Sequence, residues 1–144
     1  MTHARDMIDA APYPTEFDAD ELAAAIDAAG DCAQTCTACA ASDVAEDDVK
    51  DMRRCISLCS DCADVCTTTL RILSRDARYD PLLVQRQLQA CVRACASCAE
   101  ECDRHAAHHR HCAICAETCR ACEAACKKLL DAEALEELKA LAGG

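Results

Sequence analysis

Tryptophan is absent from this sequence of 144 residues, phenylalanine occurs once and tyrosine twice. A core built on aromatic packing is therefore excluded. Three glycines and three prolines supply too little turn chemistry for a protein of many short strands. An excess of positive charge is also missing. The formal net charge is −11 at pH 7, which argues against nucleic acid or an anionic membrane surface as partner. No uninterrupted apolar run reaches the roughly 18 residues that a membrane-spanning helix needs. The opening stretch "MTHARDMIDAAPYPTEF" lacks the apolar segment of a secretory signal and carries no twin arginine. The expected location is the cytosol.

What the sequence has instead is cysteine, sixteen in all, with alanine, leucine and charged helix formers between them. The fold class expected is all-α. Residues 1–15 read as a loose, flexible tail, with Pro12 and Pro14 opposing a helix. One domain is expected over 16–144. Its first helix spans about 16–41, with "TEFD" (Thr15–Asp18) as a capping signal, an interruption at Gly30 and a fresh start at Asp31. A second helix follows over about 46–73. "SRDARYDP" breaks the chain, and Asp80 with Pro81 starts a third helix over about 81–105. A turn is expected near His105–His109, because an unbroken helix through this region is too long for a compact domain. A fourth helix reaches about Leu130. The last segment, "DAEALEELKALAGG", reads as a short amphipathic helix or an extension of the fourth. Its Leu135, Leu138 and Leu141 form an apolar stripe suited to subunit contact.

The cysteines repeat with the helices. Cys32, Cys36 and Cys39 fall on the first. Cys55, Cys59, Cys62 and Cys66 fall on the second. Cys91, Cys95, Cys98 and Cys102 fall on the third, and Cys112, Cys115, Cys119, Cys122 and Cys126 on the fourth. Every interval within a set is three or four, which places the set on one helix face. The mean step is that of the seam in a packed bundle. An antiparallel four-helix bundle with a cysteine-lined core follows.

A single cysteine on such a stripe is ordinarily a small hydrophobe. Sixteen in register are not explained that way, because a core of cysteine alone packs poorly and oxidises. In the cytosol thiols stay reduced, so the set reads as metal ligands before it reads as disulfides. A thiol–disulfide redox protein is one alternative, but its CxxC motif belongs in a βαβ setting that is missing here.

Thiolates select Cu(I), Zn(II) or iron–sulfur clusters. Charge favours Cu(I). Binding deprotonates the thiols, and a buried uncompensated charge costs several kcal/mol. About one monovalent ion per sulfur neutralises the core, whereas zinc in four-cysteine sites leaves each site negative. The cargo expected is many Cu(I) ions per chain, with a zinc or general d¹⁰ metal buffer as the alternative. At one end the cysteine stripes run on into Met52, Asp48, His105, His108, His109 and His111, which form the expected entrance. At the other end they run into Leu22, Ile26, Leu70, Leu73, Val84, Leu88, Leu129 and Leu130, which plug the bundle. His3 lies in the tail and is expected to be idle.

The four cysteine sets and the stretch "HAAHHRHCAICAETCRACEAAC" resemble those of the bacterial cytosolic copper storage proteins, over about residues 20–130. The resemblance implies a cysteine-lined four-helix bundle, storage rather than catalysis, and a homo-oligomer, commonly a tetramer. It implies that His105, His109 and His111 line the entrance. A copper chaperone is a candidate partner. The first helix departs from the pattern, with three cysteines and a neighbouring Gly30.

Overall fold

The computed structural model describes residues 2–76 and 79–143, the side chain of Leu135 excepted. Ala77 and Arg78, inside the expected break, lie outside the described residues, as does the side chain of Leu135 in the proposed apolar stripe. The elements are α1 (Ala4–Ala10), α2 (Ala19–Ala45), a 3₁₀ turn (Val49–Met52), α3 (Arg53–Ser74), α4 (Pro81–His105) and α5 (Arg110–Gly143). There is no strand among the described residues, and no helix is long and apolar enough to cross a membrane.

The four long helices pack in cyclic order, each against two neighbours: α2 on α3, α3 on α4, α4 on α5 and α5 on α2. Neighbours run in opposite directions. Cys55 near the start of α3 meets Cys102 near the end of α4, at 3.8 Å between sulfurs, while Cys66 near the end of α3 meets Cys91 near the start of α4, at 3.9 Å. The antiparallel four-helix bundle is therefore present.

Local chemistry explains the boundaries. Asp18 caps α2, its Oδ1 accepting the Glu21 N–H at 3.0 Å, so this helix starts three residues later than the Thr15–Asp18 signal suggests. Asp80 caps α4 by accepting the Leu83 N–H at 3.2 Å, with Pro81 in the first helical turn. The turn between α4 and α5 is closed by the N–H groups of His108 and His109, both donating to the His105 carbonyl at 3.1 and 2.9 Å. The final segment is an extension of α5, not a separate helix, and Leu138 and Leu141 on it are exposed.

Two expectations are corrected. Gly30 does not interrupt α2. A Cβ at this position would lie 3.1 Å from Leu70 Cδ1, so glycine here lets α2 and α3 approach closely. Residues Ala4–Ala10 form a helix, where a loose tail was expected. Pro12 and Pro14 follow α1 and stop it; they do not prevent it. A helix of this length has little stability alone, and docking holds it. Ala4 is buried, the Thr2 N–H donates to Asp27 of α2 at 3.0 Å, and Arg5 pairs with Asp20 at 2.7 Å.

Aliphatic residues close the bundle at the α1 end. Leu22, Ile26, Leu73, Val84, Leu88 and Leu129 are buried there, with Leu70 and Leu130 packed partly buried against them. Beyond this plug, sulfur fills the interior.

Candidate metal-binding core

All sixteen cysteines are buried and none is in a disulfide. Each is 1% exposed or less, because the three-and-four spacing turns every one of them toward the bundle axis. The outer faces carry Asp61, Asp64, Arg93, Glu100, Glu117 and Arg120, all exposed.

The sulfurs form a continuous array. Next to the plug, Cys91 lies 3.8 Å from Cys126, 4.0 Å from Cys122 and 3.9 Å from Cys66. One step on, Cys66 is 3.7 Å from Cys95, and Cys62 is 3.9 Å from Cys95 and 3.8 Å from Cys32. Cys32 is 3.7 Å from Cys119, which is 3.5 Å from Cys36. Cys36 reaches Cys115 at 3.6 Å and Cys98 at 3.9 Å. Cys98 meets Cys59 at 3.6 Å, and Cys59 meets Cys102 at 3.7 Å and Cys55 at 3.8 Å. The last pair, Cys39 and Cys112, is 4.0 Å apart. Four-sulfur groups recur along this path, among them Cys36, Cys98, Cys115 and Cys119, and Cys39, Cys59, Cys102 and Cys115. A three-coordinate ion with metal–sulfur bonds of roughly 2.3 Å sets its sulfurs about 4.0 Å apart. The separations along the array match that spacing, so neighbouring sulfurs can share ions.

Electrostatics opposes full ionisation of the metal-free core. Sixteen thiolates in this volume would repel one another without water to screen them. Burial accordingly pushes the Cys112 thiol up from its ordinary range. The same burial, with a second contribution from a hydrogen bond to the Cys55 sulfur, lifts the Asp43 carboxyl to about 8.

At the end opposite the plug, polar side chains replace leucine. His111 Nδ1 is 3.3 Å from Cys39 Sγ and 3.6 Å from Cys112 Sγ, and its Nε2 is 2.9 Å from Glu46 Oε1. His109 lies between two carboxylates, with Nδ1 3.3 Å from Glu46 and Nε2 3.1 Å from Asp48. The hydrogen bond to Asp48 raises the His109 pKa. The two rings stack with centroids 5.5 Å apart. His105 Nε2 meets Glu101 Oε1 at 3.2 Å, and Arg54 Nε donates to Glu101 Oε2 at 3.1 Å. Met52 is fully buried in the 3₁₀ turn at this end.

The structure thus brings together all the sequence-predicted cysteines, and gathers His105, His109, His111 and Met52 at one end. His108 is exposed in the turn, and His3 is almost fully exposed on the far side of the molecule, beside Asp6. Three residues escaped the sequence reading: Asp43, Glu46 and Glu101. Asp43 had a signal. It follows Cys39 by four and is the fourth member of the α2 stripe, which explains why that helix carries only three cysteines. Glu101 is 5% exposed despite its charge, and only the α3–α4 contact reveals why.

A family model described as copper storage protein matches residues 18–131. Comparison with curated proteins finds no significant match. Among solved structures, the chain is similar to the copper storage protein Ccsp from Streptomyces lividans loaded with 10 copper equivalents. Identity is 44%, the match covers 89% of this chain and 98% of that one, and the TM-score is 0.87. It is also similar to a cytosolic copper storage protein from Streptomyces lividans with five coppers, at 48% identity over 78% of this chain and 93% of that one, TM-score 0.76. A mutant of Streptomyces lividans Ccsp in which a histidine is replaced by alanine matches at 47% identity over 79% and 95%, TM-score 0.78.

Proposed function

The chain belongs to the copper storage protein family, and from that premise we propose that it sequesters many Cu(I) ions on the sixteen thiolates of its core. Sequestration keeps copper away from oxygen and from vulnerable metal sites. It requires no turnover, and the protein acts as a store, not a catalyst. The likeness to a cytosolic relative supports the same compartment here.

The observation that carries this reading is the sulfur path, with steps of 3.5 to 4.0 Å from Cys91 to Cys55 and with Cys39 within 4.8 Å of Cys59, Cys102 and Cys115. A monovalent ion per thiolate leaves the core neutral, and a soft ion passes between soft neighbours by exchanging one sulfur at a time. Copper enters at the polar end, where His111 touches Cys39 and Cys112 and where His105, His109 and the buried Met52 also lie, with His108 on the rim. It cannot enter past the leucine plug. Filling therefore runs from Cys39, Cys112 and Cys55 toward Cys91, Cys122 and Cys126.

Storage is assigned to a single unit spanning residues 16–144. Assembly into a homo-oligomer, a tetramer by likeness to the family, and exchange with a copper chaperone belong to the same proposal.

Anaerobic titration of the reduced protein with Cu(I), against a chromophoric competitor, tests the reading. A stoichiometry near or above one ion per cysteine is expected. One or two ions per chain would refute it. A Zn(II) competition in the same cell separates a copper store from a general d¹⁰ buffer, and a reversible dithiol potential with little metal bound would favour a redox protein instead.

A further inference from the structure

At the open end, one group of ligands differs from the all-sulfur groups described above. Cys39, Cys112, His111 and Asp43 bring two sulfurs, one imidazole nitrogen and one carboxylate oxygen within 4.8 Å of one another. We propose that these four residues form a discrete tetrahedral site for one divalent cation of borderline softness, Zn²⁺, set at the mouth of the sulfur array.

Geometry is the first support. Zinc bonds of roughly 2.3 Å to sulfur and about 2.1 Å to nitrogen and oxygen give tetrahedral edges of about 3.8 Å between sulfurs, about 3.6 Å from sulfur to nitrogen or oxygen, and about 3.4 Å from nitrogen to oxygen. The corresponding distances are 4.0 Å for Cys39 to Cys112, 3.3 and 3.6 Å from the sulfurs to His111 Nδ1, 3.6 Å from Cys112 to Asp43 Oδ1, and 3.7 Å from His111 Nδ1 to Asp43 Oδ1. Five of the six edges of a tetrahedron are already laid out, and the sixth, from Cys39 to Asp43, is within 4.8 Å.

A second support is an orphaned atom. Asp43 is fully buried, and its Oδ2 has no hydrogen-bond partner among the described residues. Buried polar atoms are almost always satisfied, and an ion held at Oδ1 of the same carboxylate would set positive charge beside this one, with both oxygens free to share it. The side chain sits on the cysteine stripe of α2, aimed into the core where a sulfur would otherwise be.

The third support lies one shell out. The contact between His111 Nε2 and Glu46 at 2.9 Å places the ring proton on Nε2. The Nδ1 lone pair is then turned toward both sulfurs. This carboxylate–histidine–metal arrangement is the usual way zinc ligands are oriented.

Charge and softness select the ion. When Cys39, Cys112 and Asp43 release their protons to solvent, the site carries two thiolates and a carboxylate. A divalent ion leaves one negative charge, a monovalent ion two. Oxygen is a poor partner for Cu(I) and an ordinary one for zinc. The all-sulfur groups deeper in the core, such as Cys36, Cys98, Cys115 and Cys119, make no such demand. An ion held here occupies the entrance and must leave, or be displaced, before Cys39 and Cys112 can pass copper inward.

The test is an anaerobic titration of the reduced full-length protein with Co²⁺, whose tetrahedral complexes have intense visible bands and sulfur-to-metal charge transfer. The first equivalent is expected to show tetrahedral bands with charge transfer from two thiolates, and to be displaced by Zn²⁺. A paramagnetically shifted, exchangeable His111 Nε2–H signal should accompany it and vanish in His111→Ala. Asp43→Ala, Asp43→Asn and His111→Ala should each weaken the first equivalent by about tenfold or more, with helical circular dichroism retained. A first equivalent showing four-thiolate intensity overturns the proposal, even if no variant folds. So does an affinity unmoved by all three substitutions. The inference does not rest on copper storage, since Co²⁺ binding at the mouth and Cu(I) capacity are separate measurements and either can fail alone.

Discussion

His111 Nδ1 faces Cys39 Sγ at 3.3 Å while its other nitrogen is held by Glu46 at 2.9 Å. Glu46 is the residue on which α2 ends, and His111 lies in the first turn of α5. One hydrogen bond therefore links the α2–α3 connection to the sulfur core across the open end.

This link predicts a kinetic effect. Glu46→Gln leaves the shape intact but weakens the hold on the ring. Uptake of Cu(I) from a chelator, followed by anaerobic stopped flow, should slow by about tenfold, in line with the loss of an outer-shell partner. An unchanged rate would mean that His111 needs no orientation to receive copper.

Asp43 makes stability depend on pH. Its carboxyl titrates at about 8 in the fold, against an ordinary 3.8. The folded state therefore binds this proton more tightly than the unfolded state. The resulting stabilisation is complete below the ordinary value and is lost as pH rises through the folded one. The melting temperature of the reduced, metal-free protein should fall between pH 4 and pH 8, and the fall should be shallower in Asp43→Asn. Equal slopes would show that the carboxyl is not the group responsible.

The leucine plug contributes to the stability of the metal-free bundle. Leu88 is fully buried at the closed end. Leu88→Ala should cost about 2–5 kcal/mol, read by chemical denaturation of the reduced protein. Cu(I) should raise the thermal stability of wild type and variant alike, because a ligand that binds only the folded state adds to its stability. A variant as stable as the wild type without metal would place the core's stability elsewhere.

Much of this was legible from spacing alone. The steps of three and four that put Cys91, Cys95, Cys98 and Cys102 on one face also fix which face is inside, and Asp80 with Pro81 marks the start of α4 to the residue. What stayed hidden depends on contacts between distant segments. Gly30 looks like a breaker until Leu70 is seen against it. Pro12 and Pro14 suggest a tail until α1 is found docked on α2. Glu101 looks like a surface charge, but Arg54 and His105 from either side make its burial tolerable. Asp43 is visible as a position on the stripe, but its chemistry differs from that of Cys32, Cys36 and Cys39 on the same stripe, so spacing alone does not mark it as a ligand.

The central claim is that copper occupies the interior along the sulfur path. Anomalous diffraction at the copper edge, from crystals of the fully loaded protein, tests it directly. The account predicts a column of copper peaks on the bundle axis, from the Cys39–Cys112 end to Cys91 and Cys126, each bonded to cysteine sulfurs. Copper confined to histidines at the surface, with the core sulfurs left unbound, would contradict it.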